Sequence, residues 1–140
     1  MVDADVLSRR LLALNECLTE LGRSDAADPA RLAADGMLRA AVERWLQVAV
    51  EACVDIASHV IADAGWTPAA TGREAFLVLA GHGFLPLDLA ERLGTAVGLR
   101  NVLVHDYVAV DLSRLAGVVR DDLGDLRAFA RAAAGWIGHA

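Results

Sequence analysis

The sequence predicts an all-α protein, an up-and-down helical bundle of about five helices, and three observations support that fold class. Apolar residues recur at helical spacing in most of the chain, and no segment alternates apolar and polar residues as a strand would. The 140 residues contain no internal repeat, low-complexity tract or dividing linker. A single domain covering residues 1–140 is therefore expected, with one core and one functional unit.

The N-terminal segment is predicted to be an amphipathic helix with a narrow leucine seam, which comprises Leu7, Leu11, Leu14, Leu18 and Leu21. Gly22 is expected to end it. Asp28 and Pro29 then have the form of a helix N-cap followed by proline at the first helical position, so a short turn is predicted before Gly36.

The longest predicted helix runs from Met37 to Ala64 and should be central in the domain. Its broad apolar face comprises Val42, Trp45, Leu46, Ala49, Cys53, Ile56, Ala57 and Val60. The sequence Gly65-Trp66-Thr67-Pro68 breaks this helix.

Three further segments complete the bundle. Thr71 and Glu74 resemble a capping box for a helix that ends near Gly81. Another helix begins at Pro86 and runs toward residues 100–107, and the last is capped by the sequence that starts at Asp111. Gly94, Gly98 and Gly124 weaken the last two helices and make their boundaries uncertain.

The amino-acid composition limits the ways in which the protein could bind nucleic acid. The formal net charge is −6, and all thirteen basic residues are arginine. Broad electrostatic attraction to nucleic acid is thereby disfavoured, so any contact with RNA must be local. Two copies of Arg100 brought together by dimerisation would provide such a local groove.

The absence of several sequence features indicates the cellular compartment. Cys17 and Cys53 have neither metal-site nor disulfide-framework spacing, so they are interpreted as small core residues in a reducing compartment. The N-terminus is acidic where a signal peptide would be basic, and no apolar run suggests a membrane span. A soluble cytoplasmic protein without a membrane partner is expected.

Chemistry is concentrated in the segment Arg100-Asn101-Val102-Leu103-Val104-His105-Asp106-Tyr107, which has the pattern RxxxxHxY. A guanidinium matches the geometry of a phosphate, and an imidazole can move a proton near neutral pH. Asn101 and His105 are four residues apart, so Asn101 could orient the imidazole or contact a phosphate. The alternative is a solvated helix end, at which His105 stabilises the terminal carbonyls.

A second polar series follows four-residue steps along the central helix: Arg39, Glu43, Gln47, Glu51, Asp55 and His59. It is either a solvated face with weak pairs such as Arg39 with Glu43, or a support in which Glu51 and Asp55 hold Arg100 or His105. His59 and His82 are interpreted as structural. No metal site is predicted, because a third ligand near Asp55 and His59 is missing. No other cofactor is predicted either.

These residues together resemble the HepT-like branch of the HEPN superfamily. The resemblance rests on the RxxxxHxY segment, on residues 41–59 as the family's central helix, and on residues 74–93 with their Gly-Phe-Leu-Pro sequence. It covers most of the chain.

The resemblance implies the toxin of a toxin–antitoxin pair, a metal-independent endoribonuclease that acts as a homodimer. Arg100 and His105 match the catalytic residues, Asn101 the polar residue after the arginine, and Tyr107 the tyrosine to which a nucleotidyltransferase antitoxin transfers AMP. The expected partners are RNA, that antitoxin and a second copy of the chain, and the alternative assembly is a larger hetero-oligomer with the antitoxin. The alternatives are a non-catalytic helical subunit that binds a nucleotidyltransferase, and a purely structural dimeric bundle.

Overall fold

A computed structural model describes residues 4–23, 26–105 and 112–137, with the backbone alone described for residues 99–105. These ranges contain six helices and no strand, which confirms the all-α prediction. The helices are α1 (Ala4–Arg23), α2 (Pro29–Ala34), α3 (Gly36–Ala64), α4 (Gly72–Gly81), α5 (Leu87–His105) and α6 (Leu112–Ile137). The additional helix is the six-residue α2, where the sequence suggested a turn.

Aspartate side chains start the second and third helices. Asp28 accepts a hydrogen bond from the backbone N–H of Ala30 at 3.0 Å, and Pro29 occupies the first helical position. Asp35 accepts from Met37 at 3.1 Å and from Leu38 at 3.0 Å. These carboxylates satisfy N–H groups that have no partner within the helix.

The predicted capping box at α4 is also present. The Oγ1 atom of Thr71 accepts from the backbone N–H of Glu74 at 3.1 Å, and the Glu74 carboxylate accepts from the N–H of Ala70 at 3.0 Å. Helix α3 ends where Gly65 adopts a φ of 72°, a left-handed conformation that glycine adopts without steric cost.

Helix α3 is central, as predicted, because it packs against each of the other five helices. Contrary to the expectation from sequence, its length and composition would suffice to cross a membrane. Half of its most apolar window is buried inside the protein, however, so contacts with neighbouring helices account for much of the apolar composition.

The core has two parts. The larger one joins α1, α3, α4, α5 and α6 and contains a T-shaped pair of fully buried rings, Phe76 and Phe129, whose centroids are 5.8 Å apart. The smaller one joins the end of α1 and helix α2 to the first halves of α3 and α6, around Leu32, Val42 and Leu115. Cys17 and Cys53 are free and buried, and burial raises the pKa of each thiol. Both are therefore core residues, as expected.

Helices α3 and α4 run in the same direction because the connection between them doubles back. The first residue of α4, Gly72, lies against Val54 in the middle of α3. Beyond the other end of α4, His82 stacks on Trp66, which follows α3, with ring centroids 3.6 Å apart. The alternation of an up-and-down bundle is thus interrupted at this one step.

Helix α5 runs antiparallel to both α3 and α4. A short turn connects α4 to α5, and Gly94 of α5 lies against Arg73 at the start of α4. Val97 of α5 and Val54 of α3 both lie within contact distance of a Cβ built on Gly72, at 3.6 and 2.9 Å. Beyond this junction, the end of α5 therefore follows α3 back toward the first half of α3.

Candidate functional site

The RxxxxHxY motif begins in the last turns of α5. Arg100 and Asn101 belong to the helix, and His105 is its last residue. Because the backbone is helical throughout this stretch, Asn101 and His105 occupy one face on successive turns, as predicted. The predicted modification site, Tyr107, lies outside the described residues.

The end of α5 can be placed along α3 by counting residues from Gly72, because Val97 of α5 and Val54 of α3 both lie near that position. With about 1.5 Å of rise per residue in each antiparallel helix, Arg100 lies at the level of Glu51. Val104 similarly lies at the level of Gln47, and Glu43 lies about one turn beyond His105. Residues 43–51 of α3 therefore lie at about the same position along the helix axis as the described part of the motif.

The polar series on α3 does not form one face. Four residues advance a helix by about 400°, so each step rotates the side chain by about 40° and the full series covers more than half of the circumference. Among the described residues, Gln47 donates to Glu51 over 3.4 Å, and no ion pair joins Arg39 to Glu43. The two ends of the series thus lie in different environments.

The structure gives Asp55 a partner that the sequence did not suggest. Its Oδ2 atom accepts a hydrogen bond from Nη1 of Arg10 on α1 at 2.8 Å, and both side chains are about half exposed. Val54, which lies against Gly72 of α4, is about 100° away from Asp55 around the helix. Asp55 is therefore directed to α1, and support of Arg100 or His105 by Asp55 stays a prediction.

Glu43 is a candidate that the sequence interpretation placed only in the polar series. Its Oε1 atom is buried and has no hydrogen-bond partner in the part of the chain that is described. Glu43 and Gln47 precede Val54 by eleven and seven residues, so both lie within about 20° of the direction in which Val54 faces Gly72 at the start of α4. In the sequence, the only signal that pointed to Glu43 was its place in the polar series. The helix packing alone distinguishes the environments of the residues in that series.

The two histidines interpreted as structural differ in environment. His82 is exposed, and its ring lies flat on Trp66 with an interplanar angle of 7°. From Trp66, T-shaped ring contacts lead through Phe84 and Trp136 to the buried Phe129. His82 therefore extends a row of packed rings, whereas His59 is half-buried in α3.

Three aspartates lie close together on α6, and one of them, Asp122, has a shifted pKa. Burial, and then the neighbouring charges of Asp125 and Asp121, raise the pKa of Asp122 to about 6. Asp125 accepts a hydrogen bond from Nε of Arg92 on α5 at 3.0 Å. Within residues 4–23, 26–98 and 112–137, no three histidine, cysteine or acidic side chains are grouped as metal ligands would be.

Comparison with known proteins gives a consistent result. Residues 14–133 match the family described as Ribonuclease HepT-like. The chain is 29% identical over 125 residues to the mRNA nuclease HepT of Shewanella oneidensis, a match that covers 89% of this chain and 93% of that protein. A tRNA nuclease HepT of Aphanizomenon flos-aquae is 36% identical over 69 residues, which is 49% of this chain and 47% of that protein.

A solved structure is similar over nearly the whole chain. It contains a tri-AMPylated Shewanella oneidensis HEPN toxin in complex with MNT antitoxin. The TM-score is 0.82 at 28% identity, with 94% of this chain and 97% of that chain covered.

Proposed function

Because the chain belongs to the ribonuclease HepT-like family, we propose that it is the toxin of a toxin–antitoxin pair and cleaves RNA through Arg100 and His105. The observation that carries this proposal is the position of Arg100, Asn101 and His105 on the last turns of one helix, in a chain that matches the family over residues 14–133. Relatives named as nucleases of mRNA and of tRNA support RNA as the substrate.

The proposed reaction uses a proton-transfer group and a cation. His105 takes the proton from a ribose 2′-hydroxyl, whose oxygen attacks the adjacent phosphorus. The bond from phosphorus to the 5′-oxygen breaks as that oxygen receives a proton from an acid supplied by the second copy across the dimer. Arg100 stabilises the charge that develops on the phosphoryl oxygens. The products are a 2′,3′-cyclic phosphate and a 5′-hydroxyl. Asn101 orients the imidazole or the phosphate, and no metal ion is required.

A homodimer supplies what a single acidic chain lacks. With a formal net charge of −6, one chain has little concentrated positive charge for RNA, while twofold pairing would place two copies of Arg100 in one cleft. Sedimentation should find a dimer at micromolar concentration. A strictly monomeric species that still cut RNA would contradict the shared cleft.

The proposed antitoxin is a nucleotidyltransferase that transfers AMP to Tyr107. An AMPylated toxin bound to an MNT antitoxin, in a structure similar over nearly the whole chain, supports this assignment. The AMP group adds bulk and negative charge beside the site where the substrate phosphate must bind. We place the pair in the cytoplasm, where its RNA substrates are available.

An RNA-cleavage assay in EDTA tests the proposal. The wild-type protein should cut single-stranded RNA at an unchanged rate and leave cyclic phosphate ends, whereas Arg100→Ala and His105→Ala should each lose about 10² or more in rate. Wild-type activity in either variant would remove that residue from the mechanism. Absence of cleavage by the wild-type protein, combined with tight binding to a nucleotidyltransferase, would favour a non-catalytic binding subunit.

A further inference from the structure

A groove of about 380 Å³ runs between α1 and α6, two helices that do not carry the RxxxxHxY motif. Two arginines of α6, Arg127 and Arg131, line it together with the polar side chain of Asn15 on α1. Leu18 and Ala130, both buried, provide apolar surface between them. None of the described residues that line the groove is acidic. The groove is therefore a local concentration of positive charge.

Neither arginine of the groove has a partner in the described part of the chain. The ion pairs and arginine hydrogen bonds found within residues 4–23, 26–98 and 112–137 belong to other arginines. Arg92, for example, is bonded to two carboxylates. A guanidinium stays charged at neutral pH, and its fork of N–H donors matches a carboxylate or a phosphate. Arg127 and Arg131 are exposed, so these donors are accessible to an anionic ligand.

Gly22 determines where the first of these guanidinium groups lies. A Cβ atom built on Gly22, next to the last residue of α1, would collide with Nη2 of Arg127. The absence of a side chain thus lets the guanidinium lie against the end of α1, across the groove. A charged group that already lies in one place loses less conformational freedom when it binds a ligand.

The spacing of the arginines favours an extended ligand with repeated charges. Arg127 and Arg131 are four residues apart, so they lie on the same side of α6 and differ by about 6 Å along its axis. That rise is similar to the separation of neighbouring phosphates in a single strand of nucleic acid. The amide of Asn15 lies across the groove, and arginine and asparagine side chains commonly donate to phosphate and sugar oxygens.

We propose that the groove between α1 and α6 is a second binding site for the RNA substrate, in which Arg127 and Arg131 hold successive phosphates. The inference rests on the proposed function, because the strand held here is the one cleaved at Arg100 and His105. With a formal net charge of −6, most of the surface repels RNA, so binding depends on local sites of this kind.

The binding experiment uses the full-length protein and a single-stranded RNA with 2′-O-methyl riboses, which has no 2′-hydroxyl to attack and is not cleaved. The double variant Arg127→Gln/Arg131→Gln should raise the Kd measured by fluorescence anisotropy at least about tenfold, through loss of charge-assisted hydrogen bonds. The slope of log Kd against log salt concentration should decrease by about 1.4, because each phosphate contact with a single strand contributes about 0.7.

A matched control separates the groove from net charge. Arg9→Gln/Arg73→Gln makes the same change of charge at exposed positions on α1 and α4, and should alter the Kd less than about threefold because distant charges are screened. Equal losses of affinity in the two double variants would overturn the inference, as would wild-type affinity in Arg127→Gln/Arg131→Gln.

NMR locates the bound strand. The Nε–H signals of Arg127 and Arg131, assigned through their loss in the single glutamine variants, should shift on titration with the same RNA, whereas that of Arg73 should not. Unshifted groove signals at saturating RNA would contradict the proposal. If Arg127→Gln bound RNA normally and only unfolded at a lower urea concentration, Arg127 would merely stabilise the negative end of the α1 dipole.

Cleavage kinetics distinguish this inference from the proposed function. With a long single-stranded RNA, the KM of Arg127→Gln/Arg131→Gln should rise by the same factor as its Kd. An unchanged KM would remove the groove from substrate binding and leave the cleavage mechanism intact. If the wild-type protein neither bound nor cut RNA, the proposed function itself would fail. A double variant that bound RNA normally but lost its nucleotidyltransferase partner or its own second copy would show a protein contact instead, which rules out the RNA site.

Discussion

Arg10 and Asp55 form an ion pair between α1 and α3, with Nη1 and Oδ2 2.8 Å apart. The pair connects two antiparallel helices near the start of α1, about 100° around α3 from Val54. Asp55 therefore connects two helices, whereas one interpretation of the sequence was that it holds Arg100 or His105 in position.

The pair should contribute little to stability and little to catalysis. Both side chains are about half exposed, so a double-mutant cycle with Arg10→Met and Asp55→Asn should give a coupling free energy below about 1 kcal/mol in urea unfolding. Asp55→Asn should cleave RNA within about threefold of the wild-type rate, since it removes only a weak surface pair. A tenfold loss with unchanged stability would instead restore Asp55 as a supporting residue of the site.

Asp122 should make the protein less stable as pH rises. Its pKa is raised to about 6 in the folded state, so the favourable contribution of the protonated form is complete below the unfolded pKa of 3.8 and is lost as pH rises through about 6. Asp122→Asn should accordingly stabilise the protein at pH 7, by about 1 kcal/mol after allowance for partial exposure.

Measuring the stability of the variant at two pH values is the control for the Asp122 prediction. At pH 4 the variant and the wild-type protein should unfold at similar urea concentrations, and Glu91→Gln, at an exposed position on α5, should show no such dependence. Equal stabilisation by Asp122→Asn at both pH values would mean that packing, not charge, is responsible.

Gly72 allows α3, α4 and α5 to meet closely. A Cβ at this position would lie 2.9 Å from Cγ2 of Val54, closer than side chains normally approach. Gly72→Ala should therefore lower the free energy of unfolding by about 1 kcal/mol, because the stiff valine side chain cannot easily move away.

Two further variants identify the cause of that loss. Val54→Ala should remove the overlap, so the double variant should be more stable than the sum of the single effects requires. Gly124→Ala on α6, where an added Cβ meets nothing within 4 Å, should stabilise the protein by about 0.5–1 kcal/mol. Additive losses for Gly72→Ala and Val54→Ala would show that the close approach is not the cause.

Tyr107 should be the site of AMP transfer. It is the only tyrosine in the chain, so incubation with the nucleotidyltransferase partner, ATP and Mg²⁺ should add AMP mass to one peptide, which contains Tyr107. The modified protein should lose RNA cleavage through bulk and repulsion of substrate phosphate. Tyr107→Phe should take up no label and remain active. Label on a serine or threonine would remove Tyr107 as the switch without affecting the assignment of Arg100 and His105.

Much of this fold was predictable from the sequence because its signals are local. Helical spacing of apolar residues, the aspartate caps and the Thr71–Glu74 capping box each act within a few residues, and α1, α3 and α4 follow them closely. The resemblance to HepT-like ribonucleases, carried by contiguous motifs, is confirmed by the family match over residues 14–133.

The tertiary structure decided relationships between distant residues. A four-residue series on α3 does not show that Asp55 binds Arg10 of α1 while Glu43 lies on the side of α3 from which Val54 faces Gly72 of α4. Nor does it show that α4 follows the direction of α3, which depends on the stack of His82 on Trp66 and the contact of Gly72 with Val54. The amino-acid sequence by itself determined the helices, their caps and the identity of the motif, since hydrogen bonds and apolar periodicity are properties of neighbouring residues. Which neighbouring helix each polar side chain of α3 faces was decided only by packing, because the rotation and height of one helix against another depend on the shapes of all the side chains between them.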